Sequence, residues 1–270
     1  MGEQEAPNLY GFVSNHPTNS FDVNGLYDAA GHFYTTYLIA KAAGYNSTDA
    51  FNLAYWSQYP DLDPNYNAVT APSASRTAVQ EYLHSLTGGD PDKLRSYLAC
   101  LLKSGKFSPS EQGILIHGLG DAYAHSHQPL FSNKQRLYGP PFGHLLHGHN
   151  PDYIASNPSK YGNYVDQLYG VLTSMNPGGI PNPSLITGLK NAANGLPSPS
   201  FFPDYFSSTN QDSIETQALR DLPGGYNGSD FINPSTPTLL DKMTQSSDAP
   251  DMQSLMDKIK NGVSGCCPPK

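Results

Sequence analysis

The sequence predicts a mainly α protein, and three observations carry that reading. Apolar residues recur at the helical period in several segments, start and stop signals bracket those segments, and none shows the strict apolar–polar alternation of a half-buried strand. Of 270 residues, 37% are hydrophobic and only 14% charged, with 25 Gly and 24 Pro helping to fill the difference. Long, numerous loops between helices are expected from that composition. The length suits one large domain or two small ones.

Tyr27 to Ala43 reads as a first helix, stopped by Gly44 and carrying Asp28 and His32 four residues apart. A second runs from Thr48 to about Gln58, capped near Ser47, in a segment that closes with Tyr59-Pro60-Asp61-Leu62-Asp63. Ser75 opens a third with the stripe Val79, Tyr82, Leu83 and Leu86. Asp90 or Pro91 opens a fourth that runs through Leu102. The fifth has the strongest start: Ser108 as N-cap, Pro109 in the first helical position and Glu111 completing a capping box. Ile114, Leu115, Ile116, Leu119, Ala122 and Ala124 surround it, so it reads as buried. A sixth spans Asn163 to Met175. From Asn176 to about Pro234 the composition predicts irregular packed loops, and short helices come after them at Thr236–Met243 and Pro250–Lys260. The last carries Met252, Leu255, Met256 and Ile259 at i, i+3, i+4 and i+7.

The fifth helix carries the chemistry. His117, Asp121 and His125 are spaced i, i+4, i+8 and share one face of a helix that is apolar elsewhere. Burying such groups without partners costs about 1–3 kcal/mol each, and more for a charge. A bound cation resolves the conflict; a metal-free Asp–His pair is the competing reading. All nine histidines lie in the first 149 residues and six lie between His117 and His149. A second run, Gly143-His144-Leu145-Leu146-His147-Gly148-His149-Asn150-Pro151-Asp152, adds further ligand types. Imidazole and carboxylate ligands suit zinc, whose catalytic sites keep a position open for water.

Other positions carry alternatives. His84 falls off the apolar stripe of its own helix and reads equally as a surface histidine. Asp61, after a proline, also fits a turn or cap. His32 also fits a core histidine paired with Asp28. His16 and His147 are set aside. Tyr123 either packs or hydrogen-bonds a substrate phosphate, and Trp56, the one tryptophan, reads as core.

The formal net charge of −8 argues against a broad electrostatic grip on nucleic acid, although bound divalent ions can reverse the sign at a site. The three cysteines, Cys100, Cys266 and Cys267, are an odd count with a vicinal pair and do not read as a disulfide framework. Cys100 reads as a small core hydrophobe. No signal-peptide core and no run of about 18 apolar residues is found, so export is expected to depend on something outside this segment.

The segment Asn8-Leu9-Tyr10 through Asn15-His16-Pro17 to Asp22-Val23-Asn24-Gly25-Leu26 resembles the closing segment of the Rhs (YD-repeat) associated core, with Val23 where that pattern has proline. The resemblance implies that residues 1–26 end the Rhs core. The chain beyond Leu26 would be the variable C-terminal toxin of a polymorphic toxin system. It implies as partners a parent Rhs shell and a cognate immunity protein, and delivery by a secretion system into target cells. Residues 27–175 would form a helical metal-binding catalytic core and 176–270 a loop-rich extension packed on it.

The ordered ligand set His32, Asp61, His84, His117, Asp121, His125 or His127, His144, then His149 and Asp152 resembles the zinc-dependent phospholipase C and P1-type nuclease superfamily. His117, Asp121 and His127 match its H-x-x-x-D helix with a histidine six residues on; Gly148 departs from the acid expected four residues after His144. A helix continuing past Ala124 favours His125 as the ligand, and one ending there favours His127. The resemblance implies a multi-helix core with long Pro/Gly-rich loops, two or three zinc ions, a zinc-activated water and phosphoester hydrolysis, with Asp61 orienting the water. It also implies that cleavage after Leu26 would free a Tyr27 amine as a further ligand. Three functions are open on this basis. The first is a phospholipase C-like toxin acting on membrane phospholipids, with peripheral membrane contact. The second is a nuclease with stacking from tyrosines between Tyr55 and Tyr66, and the third a non-catalytic metal-stabilised module.

Overall fold

A computed structural model describes residues 30–129, 132–139, 154, 157–195 and 247–269. The fold is mainly α. A π-helical turn, Ala30–Tyr34, runs directly into α1 (Thr35–Ala42). Next in order are α2 (Ser47–Leu62), α3 (Arg76–Tyr82), α4 (Pro91–Lys103), α5 (Pro109–Ala124), α6 (Pro158–Met175), α7 (Pro183–Gly195) and α8 (Met252–Asn261). Between α5 and α6, β1 (Ser126–His127) and β2 (Arg136–Leu137) form a two-stranded antiparallel ladder with Ser126 opposite Leu137.

Helix ends obey the local chemistry of the chain. Gly44 (φ 85°) closes α1: its N–H bonds Lys41 O and the Tyr45 N–H bonds Ala40 O, the paired bonds of a Schellman motif. Asn46 caps α2, one residue before the expected Ser47, and Asp90 caps α4 ahead of Pro91. At α5 the expected capping box forms: Ser108 Oγ accepts from Glu111 N at 3.2 Å and Glu111 Oε2 accepts from Ser108 N at 2.8 Å.

Helix α5 is the hub. Fourteen of its residues are buried, and it packs most extensively on α2, then on α4 and α6. Gly113 permits the α2 crossing, because a Cβ there would meet Trp56 and stand 2.8 Å from Leu53 O. Most core residues, from Phe33 to Cys266, belong to one hydrophobic cluster, and Ala68, Leu86 and Tyr138 form a small second one. Helix α8 joins the main cluster through Met252, Leu255, Met256 and Ile259, the stripe expected from their spacing.

Several expectations change. Helix α2 continues four residues past Gln58, through Pro60, so Asp61 lies in a last helical turn and not in a loop. A proline this close to the end forfeits one backbone hydrogen bond, and the Tyr59 hydroxyl donating to Asp63 Oδ2 at 2.7 Å ties the end down. The first part of the expected loop region contains α7, whose Ile186, Leu189 and Ala193 join the core against α1 and α6. Cys100 is not a lone core hydrophobe: it forms a disulfide with Cys266, 166 residues away, and leaves Cys267 free and exposed. Residues 1–29, the Leu26 junction, His144, His149, Asp152 and the Thr236–Met243 helix lie outside the described residues. No helix among the described residues is long and apolar enough to cross a membrane.

Candidate metal centre

Five of the candidate residues converge in the core, each from a different local device. His32 comes from the π-helical turn, Asp61 from the last turn of α2, and His117 and Asp121 from one face of α5. His84 comes from the loop beyond α3. None of the five is more than 7% exposed. The surface reading of His84 is therefore overturned. Helix α3 stops at Tyr82, so the stripe no longer governs position 84, and Ser85 at φ 55° turns the chain inward. A non-glycine residue in that region carries strain. The Ser85 hydroxyl answers it by donating to Gly118 O at 2.7 Å, against a helix face that glycine leaves bare.

The donor atoms face one another. His84 Nδ1 lies 3.1 Å and His117 Nε2 3.3 Å from Asp121 Oδ2, and the two nitrogens are 3.0 Å apart. His32 Nε2 lies 3.2 Å from Asp121 Oδ1 and 3.7 Å from Asp61 Oδ2. Asp61 Oδ1 is 3.7 Å from His117 Nε2 and 3.8 Å from His84 Nδ1, and accepts no hydrogen bond among the described residues. Ligand atoms of His32, Asp61 and His117, and those of His84, His117 and Asp121, form two groups each within 4.8 Å. Ligands about 2.0–2.1 Å from a tetrahedral ion sit about 3.3 Å apart, which matches these separations.

Two backbone carbonyls fix the tautomers. His117 Nδ1 is 2.8 Å from Ser57 O, and His84 Nε2 is 2.8 Å from Tyr66 O. A carbonyl only accepts, so each of those nitrogens carries the proton, and His117 Nε2 and His84 Nδ1 turn lone pairs toward each other and two carboxylates. Four acceptors around one point demand positive charge. A proton on His84 can supply it: burial disfavours the imidazolium, yet the Asp121 hydrogen bond and charge outweigh that and raise its pKa. A metal ion supplies it equally, in competition with that proton. The buried residues can thus hold a metal ion.

The same charges split the carboxylates. Burial pushes Asp61 up to about 6, against the pull of His117 and His84. Burial acts on Asp121 too, but the surrounding histidines, His117 first, win and hold it well below the ordinary range. Burial and the neighbouring His32 push His117 down.

Supporting residues escaped sequence reasoning. Ser57 Oγ donates within a buried knot formed with Ala54 O, His32 O and Thr36 Oγ1, while its carbonyl orients His117. Asn67 Nδ2 donates to Asp61 O at 2.9 Å and its Oδ1 accepts from Val69 N and Thr70 N, shaping the loop that presents Tyr66 O. Main-chain carbonyls leave no mark in residue identity, so only the Asn/Asp/Pro-rich turn composition hinted at this loop.

Helix α5 ends at Ala124, the condition set for His127, yet His125 is the histidine nearer the centre. As C-cap it stays on the Asp121 side, Nδ1 lying 3.8 Å from Asp121 Oδ2 and donating to His84 O at 3.3 Å. His127, on β1, stacks on Tyr138 with ring centroids 4.3 Å apart. Neither belongs to the two ligand groups. Arg95 Nε meets the carbonyl end of α5, donating to Ala122 O at 3.0 Å, and Lys160 Nζ donates to Ser126 O at the start of β1. Tyr123 lies under the Arg95 guanidinium and donates to Gln167 Oε1. Trp56 is core, as expected.

Residues 28–95, which include His32, Asp61 and His84, match a family of unknown function, DUF6765. No curated protein and no solved structure matches the chain.

Proposed function

We propose that this protein is a zinc-dependent phosphodiester hydrolase of the phospholipase C type, the toxin module of an Rhs-type system. The observation that carries the metal-dependent reading is the pair of carbonyl-locked imidazoles, His84 and His117, whose free nitrogens meet two buried carboxylates. When bound, zinc supplies Lewis acidity and a water acidic enough to ionise near neutral pH. His84, His117 and Asp121 would hold the ion. Asp121 turns Oδ1 to His32 and Oδ2 to His84 and His117, so its two oxygens face different histidines. Asp61, whose Oδ1 faces the two imidazoles and accepts no hydrogen bond among the described residues, would orient the attacking water. The Rhs-like segment ending at Leu26 supports delivery into target cells and a cognate immunity protein, and the net charge of −8 favours a lipid over a nucleic-acid substrate.

The deep burial of the five residues favours a second reading, a closed structural ion that stabilises a binding module. Elemental analysis, then assays on phosphatidylcholine vesicles and single-stranded DNA, separate the readings. The hydrolase is expected to carry two or three equivalents of zinc and cleave the lipid. His117→Ala, still helical by circular dichroism, should lose at least 100-fold of that activity. DNA cleavage alone would make it a nuclease. Stoichiometric zinc without hydrolysis of either substrate would establish the structural ion.

A further inference from the structure

The disulfide joins two residues outside the candidate metal centre and has a third cysteine, a free thiol, beside it. Cys100 projects from α4 and Cys266 from the turn after α8. That turn folds on itself: Val263 and Cys266 form an isolated antiparallel bridge, with Gly262 (φ 77°) and Gly265 (φ 90°) in conformations that favour glycine. All three cysteines line one surface hollow of about 520 Å³, together with Lys93 and Tyr97. Cys266 is buried, Cys100 is half-buried and Cys267 is free and exposed. The sulfur open to attack is therefore that of Cys100, and the adjacent free nucleophile is Cys267.

We propose that Cys267 is an exchange thiol for the Cys100–Cys266 disulfide, making this tail clasp a thiol–disulfide exchange site with two pairings. The Cys267 thiolate attacks Cys100 Sγ; the Cys100–Cys267 bond forms as the Cys100–Cys266 bond breaks, and Cys266 leaves as a thiolate that takes up the proton Cys267 released. One disulfide and one thiol stand on each side, so no external oxidant or reductant is required. Closing Cys266 onto Cys267 instead would place a planar trans peptide in a small ring, which its stiffness opposes. The exchange moves the covalent anchor by one residue and opens the Val263–Cys266 bridge. The open space around Gly265, where an added Cβ would meet nothing within 4 Å, gives the backbone room to shift. Helix α8 stays docked through the Tyr97 hydroxyl on Ile259 O and Lys258 on Glu111.

Two measurements on the full chain test this. In the first, Cys266→Ser is incubated in a glutathione redox buffer and its free thiols are titrated. The proposal expects both remaining thiols to be lost to a Cys100–Cys267 disulfide. A folded Cys266→Ser that keeps both thiols overturns it. In the second, the oxidised wild type is held in mildly alkaline buffer, trapped with N-ethylmaleimide and mapped by fragmentation mass spectrometry. Label at both Cys266 and Cys267 is expected, and label at Cys267 alone overturns the proposal. Should Cys266→Ser fail to fold, the wild-type labelling decides by itself. The Cys267→Ser variant, with no thiol to exchange, fixes the Cys100–Cys266 baseline.

Discussion

Gly120 precedes Asp121 on α5, and a Cβ there would stand 3.3 Å from both His32 Cε1 and Tyr164 Cζ. Alanine gains about 1 kcal/mol of helix propensity over glycine, so Gly120→Ala should leave metal-free stability close to wild type. The imidazole it crowds is one of the proposed ligands, however, and on that proposal zinc affinity by calorimetric titration should fall at least about tenfold. An unchanged affinity would remove His32 from the centre. Asp61 gives a pH-dependent test. Its carboxyl pKa is raised from 3.8 to about 6 by burial. A group with a raised folded pKa gives stability that is complete below the unfolded value and lost as pH rises through the folded one. In chelator-treated protein the wild type should therefore lose on the order of 3 kcal/mol relative to Asp61→Asn between pH 3.8 and about 6. Denaturant curves measure it, and parallel pH profiles for the two proteins would refute it. Much of this centre is legible in the chain, because His117 and Asp121 on an otherwise apolar helix have few other solutions. His84 is misread when its stripe is extended past Tyr82, where a positive-φ serine, a feature that residue type does not announce, ends the helical geometry.

Among the elements, the α2–α5 crossing sets the distance between Asp61 and the His117 face. Gly113 holds that crossing close, since a Cβ would press on Trp56 and on the Leu53 carbonyl, and backbone yields less readily than a side chain. Gly113→Ala is expected to cost about 3 kcal/mol by urea denaturation, despite the better helix propensity of alanine. A cost within about 0.5 kcal/mol of zero would mean that the two helices are not in close contact at this residue. Helices with explicit caps are the ones the chain announces: Ser108 and Glu111 for α5, Asp90 and Pro91 for α4, and the 3–4 spacing of α8. The hidden features depend on tertiary contact. Helix α2 runs through Pro60 because its last turn is buried and tied by Tyr59 to Asp63, and α7 forms in a Pro/Gly-rich stretch because α1 and α6 accept its apolar side. The Cys100–Cys266 bond becomes visible only once α8 is docked, as an odd cysteine count offers no pairing over 166 residues.

For the whole molecule, the candidate ligand residues come from four segments that are distant in sequence yet belong to one cluster: the π-helical turn, α2, the loop after α3, and α5. An ion there acts as a cross-link through the middle of the core, so its removal should register globally. With zinc at about a thousand times its dissociation constant, binding contributes about 4 kcal/mol, which for a chain of this size corresponds to a fall of about 10 °C in Tm on chelation. The drop should appear equally in helical circular dichroism and in Trp56 fluorescence, because Trp56 packs against α5 beside the centre. It should reverse on adding zinc back and shrink as pH falls, since protons compete for His84 Nδ1. A chelated protein that melts at the same temperature as the zinc-supplemented one would mean that the buried carboxylates and imidazoles neutralise one another with protons alone, leaving the core no need of a metal.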